Sequence, residues 1–155
     1  MLVLDPEVVR FEDVVFEDAL GVAIDRQARK LVEEWGDDGP HAAMVDVVEQ
    51  RVLVRVTRRP ARGRAGGGED AEAGLTLGRE GDLVFYSSTE GGGARTRFSV
   101  RCVLTGVKTD VATDDASRAS SRTAPGLVAV QTLTFIGVSP DGGVADPVTV
   151  SVAQV

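Results

Sequence analysis

Apolar positions along this chain recur mostly at every second residue, the spacing of strands that bury one face. The clearest run is Arg51 to Arg58, where Val52, Val54 and Val56 fall on one side while Arg51, Arg55 and Thr57 fall on the other. Val8 to Phe16 alternate more loosely, with Val9, Phe11, Val14 and Phe16 as apolar members, and predict one strand or two joined by Glu12-Asp13. Val22 and Ile24 open a further segment that continues towards Leu31 and Trp35. Asp25 to Trp35 also holds good helix formers, with Leu31 and Trp35 spaced for one helical face, so a short amphipathic helix competes there. The turn cluster Gly36 to Pro40 and the Val-rich partner after it favour a strand, and hence a long β-hairpin around Gly36 to Ala43.

Further on, Asp82 to Ser88, Arg97 to Val107 and Leu127 to Val138 each alternate, and Pro147 opens a last strand at Val148 to Val152. Glu90 to Gly93 reads as a hairpin turn. Thr109 to Pro125 reads as a long polar connection with room for a helical turn near Asp114 to Arg118. Arg59 to Gly74 is rich in Gly, Arg and Ala, lacks large apolar side chains, and is expected to be a flexible loop. Seven or more short strands separated by turns predict an all-β fold, an antiparallel sandwich or barrel with a long hairpin and at most one short helix.

Composition adds bounds. With 155 residues, 43% of them hydrophobic and 26% charged, the chain fits one globular domain spanning residues 1–155. A domain of this size buries roughly two thirds of its unfolded surface without staples. The lone Cys102 lies within an alternating run, which suits a small core residue in a reducing compartment. No apolar run is long enough to cross a membrane as a helix, and the opening residues lack a signal-peptide pattern, so a cytoplasmic chain without a membrane anchor is expected. A formal net charge of −7 opposes the general attraction to phosphate on which nucleic-acid binding rests.

Catalytic and metal templates fail. The only histidine, His41, stands beside Pro40 in a turn, so neither a His-based triad nor a multi-His metal site can be assembled within one chain. Gly63 to Gly68 does not match a phosphate loop. The acidic pairs Glu12-Asp13, Glu33-Glu34, Asp37-Asp38 and Asp114-Asp115 are adjacent, and neighbours on a strand point to opposite faces. Arg58, Arg59, Arg62 and Arg64 could hold phosphate, but Glu69, Asp70 and Glu72 follow and nearly cancel them. Trp35 suits a core anchor or an interface plug. No enzyme activity and no cofactor are expected.

The order of pieces in the C-terminal half resembles the major tail tube protein of long-tailed bacteriophages and related phage-derived particles. The residues that carry the likeness are Asp82 to Ser88 (DLVFYSS), Arg97 to Val107 (RFSVRCVLTGV), the polar connection Lys108 to Pro125, and Val130 to Gly137 (VQTLTFIG) followed by Asp141-Gly142. Pairing of Val22 to Asp25 with the Val45 to Arg58 strand is similar to that family's extended hairpin. Arg59 to Gly74 stands outside the likeness. The resemblance implies a virion structural protein that self-assembles into hexameric rings, stacked into a tube. DNA would pass through it during ejection without specific binding, and tape-measure and terminator proteins would be its partners.

On that reading Glu33, Asp46 and Glu49 are lumen candidates, where carboxylates would repel phosphate. Ring-stacking candidates are Gly36, Asp37, Asp38, His41, Arg59, Arg62 and Arg64, together with the terminal arms. Alternatives are another tail ring component, such as a distal or terminator protein, and a monomeric β-barrel binding a small ligand, which would need a hollow interior.

Overall fold

A computed structural model of the chain describes residues 1–37, 39–59, 75–88, 94–113 and 127–154. The described residues form nine strands and no helix: β1 (Leu2–Leu4), β2 (Glu7–Phe11), β3 (Val14–Phe16), β4 (Ala19–Trp35), β5 (Ala42–Arg58), β6 (Glu80–Ser88), β7 (Ala94–Thr113), β8 (Leu127–Gly137) and β9 (Val148–Gln154). The run from Val8 is two strands, turning at Glu12-Asp13, and Asp25 to Trp35 is strand throughout. The helical turn expected near Asp114 to Arg118 and the Glu90 to Gly93 turn lie outside the described residues, as does the 59–74 loop beyond Arg59.

All nine strands join one antiparallel sheet in the order β1-β4-β5-β8-β7-β6-β2-β3, with β9 added to β7. Strands β1 and β3 end this path, and the sheet does not close. It nevertheless curls, because only Asp5 and Pro6 join β1, at one end of the path, to β2 near the other.

One face lines the interior. Alternation places Val9 and Phe11, Val22 and Ile24, Val52, Val54 and Val56, Leu83 and Phe85, and Leu133 and Phe135 in a single core. Across the curl the Phe11 and Phe135 rings meet at 5.0 Å between centroids, and Phe85 stacks on Phe98 at 4.9 Å. Cys102 is buried in this core, as its place in the alternation suggested.

Arg58 departs from the surface cluster expected of it. It ends β5 on the core face, is 8% exposed, and donates from Nε to Gln131 Oε1 at 2.7 Å. Its guanidinium also lies 5.0 Å from the centre of the Phe16 ring.

The strands are unequal, and this shapes the molecule. Strand β5 pairs with β8 only over Leu53 to Arg58, but with β4 over its whole length. The outer halves of β4 and β5 therefore extend past the body as a two-stranded ribbon. Strand β7 runs 20 residues. Its first part lies between β6 and β9, and its last part pairs β8. Because Gln131 faces both Arg58 and Thr109, the β7–β8 pair extends beyond the body at the Arg58 end, opposite to the ribbon.

Candidate assembly surface

The ribbon is the feature that packing within the chain leaves unexplained. Beyond Asp25 on β4, and from Ala43 to Gln50 on β5, every residue is exposed. Several of these are large and apolar: Leu31, Val32, Trp35, Met44, Val45, Val47 and Val48, with Trp35 at 62%. Trp35 is thus no core anchor within one chain.

Register explains which residues share a face. Gln27 opposes Arg51, and beyond an irregularity at Ala28 to Leu31 the same phase resumes, with Leu31 opposite Val47 and Glu33 opposite Val45. One face of the ribbon carries Leu31, Glu33, Val45 and Val47, and Trp35 lies beyond a second irregularity, opposite Ala42. The reverse carries Val32 opposite Asp46 and Glu34 opposite Met44. Both faces are amphipathic. The three lumen candidates consequently do not form one acidic wall. Glu33 and Asp46 point to opposite faces, because Asp46's partner Val32 neighbours Glu33, and Glu49 lies opposite Lys30 within the irregular stretch.

Charge is graded along the ribbon. Arg26, Arg29, Lys30 and Arg51 lie near its root, and Glu33, Glu34, Asp37 and Asp46 lie towards its tip. At the root, Arg26 pairs with Asp146 at 2.8 Å, which fastens the ribbon's base to the body, and Arg55 pairs with Asp25 across the two ribbon strands.

The stacking candidates fall into two groups. Gly36, Asp37 and His41 are exposed at the ribbon tip, while Asp38, Arg62 and Arg64 lie outside the described residues. Arg59 is exposed at the far end of β5 and donates its backbone N–H to Asp18 O at 2.9 Å. Strand β5 has 17 residues, so at ~3.3 Å per residue the two groups stand ~55 Å apart.

A second cluster, missed by periodicity, surrounds the β2–β3 turn. Glu12, Arg79, Glu80, Gly81, Asp82 and Arg101 line an open cavity of about 380 Å³. Glu12 accepts from the Asp82 N–H at 2.6 Å, Arg79 pairs with Asp13 at 2.8 Å, and Arg101 pairs with Glu80 at 2.7 Å. Asp13's own backbone N–H, and then Arg79, hold its carboxyl below the usual range. The opposing charges pair with one another, so the cluster ties the turn to β6. A Cβ at position 81 would meet the Glu12 side chain, which would have to move aside.

Among the described residues no group of His, Cys, Asp and Glu is arranged to hold a metal ion. No helix among them is long and apolar enough to cross a membrane. No protein-family model and no curated protein matches the sequence.

Proposed function

We propose that this protein is a structural subunit whose work is self-assembly into rings stacked as a phage-type tail tube. The observation that carries this reading is the ribbon, an exposed two-stranded extension with Leu31, Val45 and Val47 on one face, Val32 and Met44 on the reverse, and Trp35 and Val48 exposed at its irregularities. Contiguous exposed apolar surface of this kind serves contacts with other molecules. A ribbon at one end of β5 and the β7–β8 extension at the other give each copy two different ends. That is the geometry of a head-to-tail interface, which closes into rings or continues into filaments.

The interior is occupied by Phe11, Phe16, Phe85, Phe135 and their aliphatic neighbours. A filled core favours the assembly reading over a ligand-binding barrel. For the channel, Glu33, Asp46 and Glu49 are the wall candidates, with Glu33 and Asp46 on opposite faces of the ribbon, and net negative charge lets DNA slide without sticking.

Negative-stain electron microscopy over a concentration series, paired with light scattering, tests the proposal. Rings or tubes with a central channel are expected. A chain that stays monomeric at every concentration, and also on a tail-tip complex, overturns it.

A further inference from the structure

We propose that β1 is an exchangeable strand: on assembly, Leu2–Leu4 leaves its own β4 and pairs, in the same register, with the β4 of a neighbouring copy. This inference rests on the assembly reading above and names one contact that would join the copies.

Strand β1 is lightly held. It is three residues long, buries only Val3, and exposes Leu2 and Leu4 at 64% and 69%. Its partners are Gly21, Val22 and Ala23 on β4, with Met1 exchanging backbone bonds with Ile24 at 2.7 and 2.8 Å.

The segment that holds it in place is strained. Asp5, Val8 and Glu12 have φ values of 47°, 45° and 52°, the left-handed region that L residues avoid. Asp5 immediately precedes Pro6, whose ring disfavours helical backbone in the residue before it. Val8 is β-branched, the type least suited to positive φ. Asp5 lies in the two-residue link that folds β1 back across the opening of the sheet, Val8 at the irregularity in the β2–β6 pairing, and Glu12 in the β2–β3 turn. Short hinges under strain invite strand exchange.

Straightening the chain at Asp5 lets that residue relax to extended backbone and makes Leu2 to Glu7 one run of ~20 Å at ~3.3 Å per residue, leaving the Val8 irregularity within the β2–β6 pairing in place. Such a run stays paired to its own β6 through β2 while its first residues reach past the molecule's own sheet. The occupant of the vacated β4 edge is a second copy, because only another β1 brings the same residues in the same register. The sheets of adjacent copies then become continuous across the junction. In a closed ring every β4 edge is refilled, so the exchange loses no pairing.

Leu2 and Ala23 are directly opposed, and they neighbour the hydrogen-bonded Met1–Ile24 pair, so they form the closer, non-hydrogen-bonded type of pair. Cysteines placed there meet the geometric needs of a disulfide. The Leu2→Cys/Ala23→Cys variant, oxidised before and after assembly, is separated on non-reducing denaturing gels. The expected result is internally bridged single chains before assembly and a ladder of covalently joined chains afterwards. Asp5→Gly, which removes the left-handed penalty in the folded-back form, is expected to lower the joined fraction about fivefold or more. Assemblies that run wholly as single chains overturn strand exchange and leave the assembly reading standing. Absence of any assembly overturns both.

Discussion

Burial pushes the Cys102 thiol up to about 12, and the Asp82 and Glu12 carboxylates act in the same direction. A maleimide reagent at pH 7–8 should therefore leave the folded protein unlabelled and react fully once denaturant exposes the core, since the thiolate is the nucleophile. Gln131 is 2% exposed and accepts from buried Arg58. Gln131→Leu is expected to lower stability by about 1–3 kcal/mol in urea unfolding, because a buried donor loses its acceptor. Acid acts on the exposed carboxylates. Ala145 N–H, then Ser139 Oγ, hold Asp141 below its ordinary value of 3.8, and Asp13 is held below 3.8 in the same direction. A depressed folded-state value contributes stability that is complete above the unfolded pKa and is lost as pH falls through the folded one. The thermal midpoint should hold from pH 7 to about 5 and drop below 3.8, and Asp141→Asn should make that drop shallower. At this scale alternation foretold the burial of Cys102, but not that of Arg58. Arg58 sits on the core side in perfect phase with Val52, Val54 and Val56. The charge invited a surface reading, and what reverses it is Gln131 and Phe16, both far away in sequence.

Among the elements, the β4–β5 ribbon is where the proposed assembly can be tested apart from folding. Its outer residues touch little else, so Trp35→Ser and Val47→Lys are expected to change folding stability by less than ~0.5 kcal/mol. If the ribbon is the contact surface of the proposed assembly, both should abolish the particles expected in electron microscopy. Unchanged particles would assign assembly to other elements. The hairpin and its turn could be read from the sequence because Val52, Val54 and Val56 state their period plainly and Gly36 to Pro40 marks the reversal. The outer half of β4 was ambiguous for a physical reason: with no body to pack on, its apolar positions obey no strict two-residue rule, and Arg29, Lys30 and Leu31 suit a helix as well. Strand β1 escaped notice because a single buried residue, Val3, carries no period. Its existence depends on β4 lying alongside.

For the whole molecule, what periodicity could not supply was the order of strands, since the β5–β8 and β1–β4 pairings join segments far apart in the chain. Besides the short β1–β2 link, contacts across the interior such as Phe11 on Phe135 hold the open sheet in its curl. Phe135→Ala should cost about 3–5 kcal/mol and lower the midpoint of unfolding, because both walls lose the ring that joins them. The long-range field follows from composition alone. Acidic residues outnumber basic ones by 24 to 17, and much of the basic charge described is held in ion pairs such as Arg26–Asp146, Arg79–Asp13 and Arg101–Glu80. A subunit that conducts DNA must not capture it, and one with this balance releases few counterions on meeting a duplex. In a gel-shift titration with double-stranded DNA at 50–150 mM salt, both the free subunit and its assemblies should leave the DNA unshifted. A salt-sensitive shift would instead reveal a cationic surface on the assembly and would rule out a passive channel wall.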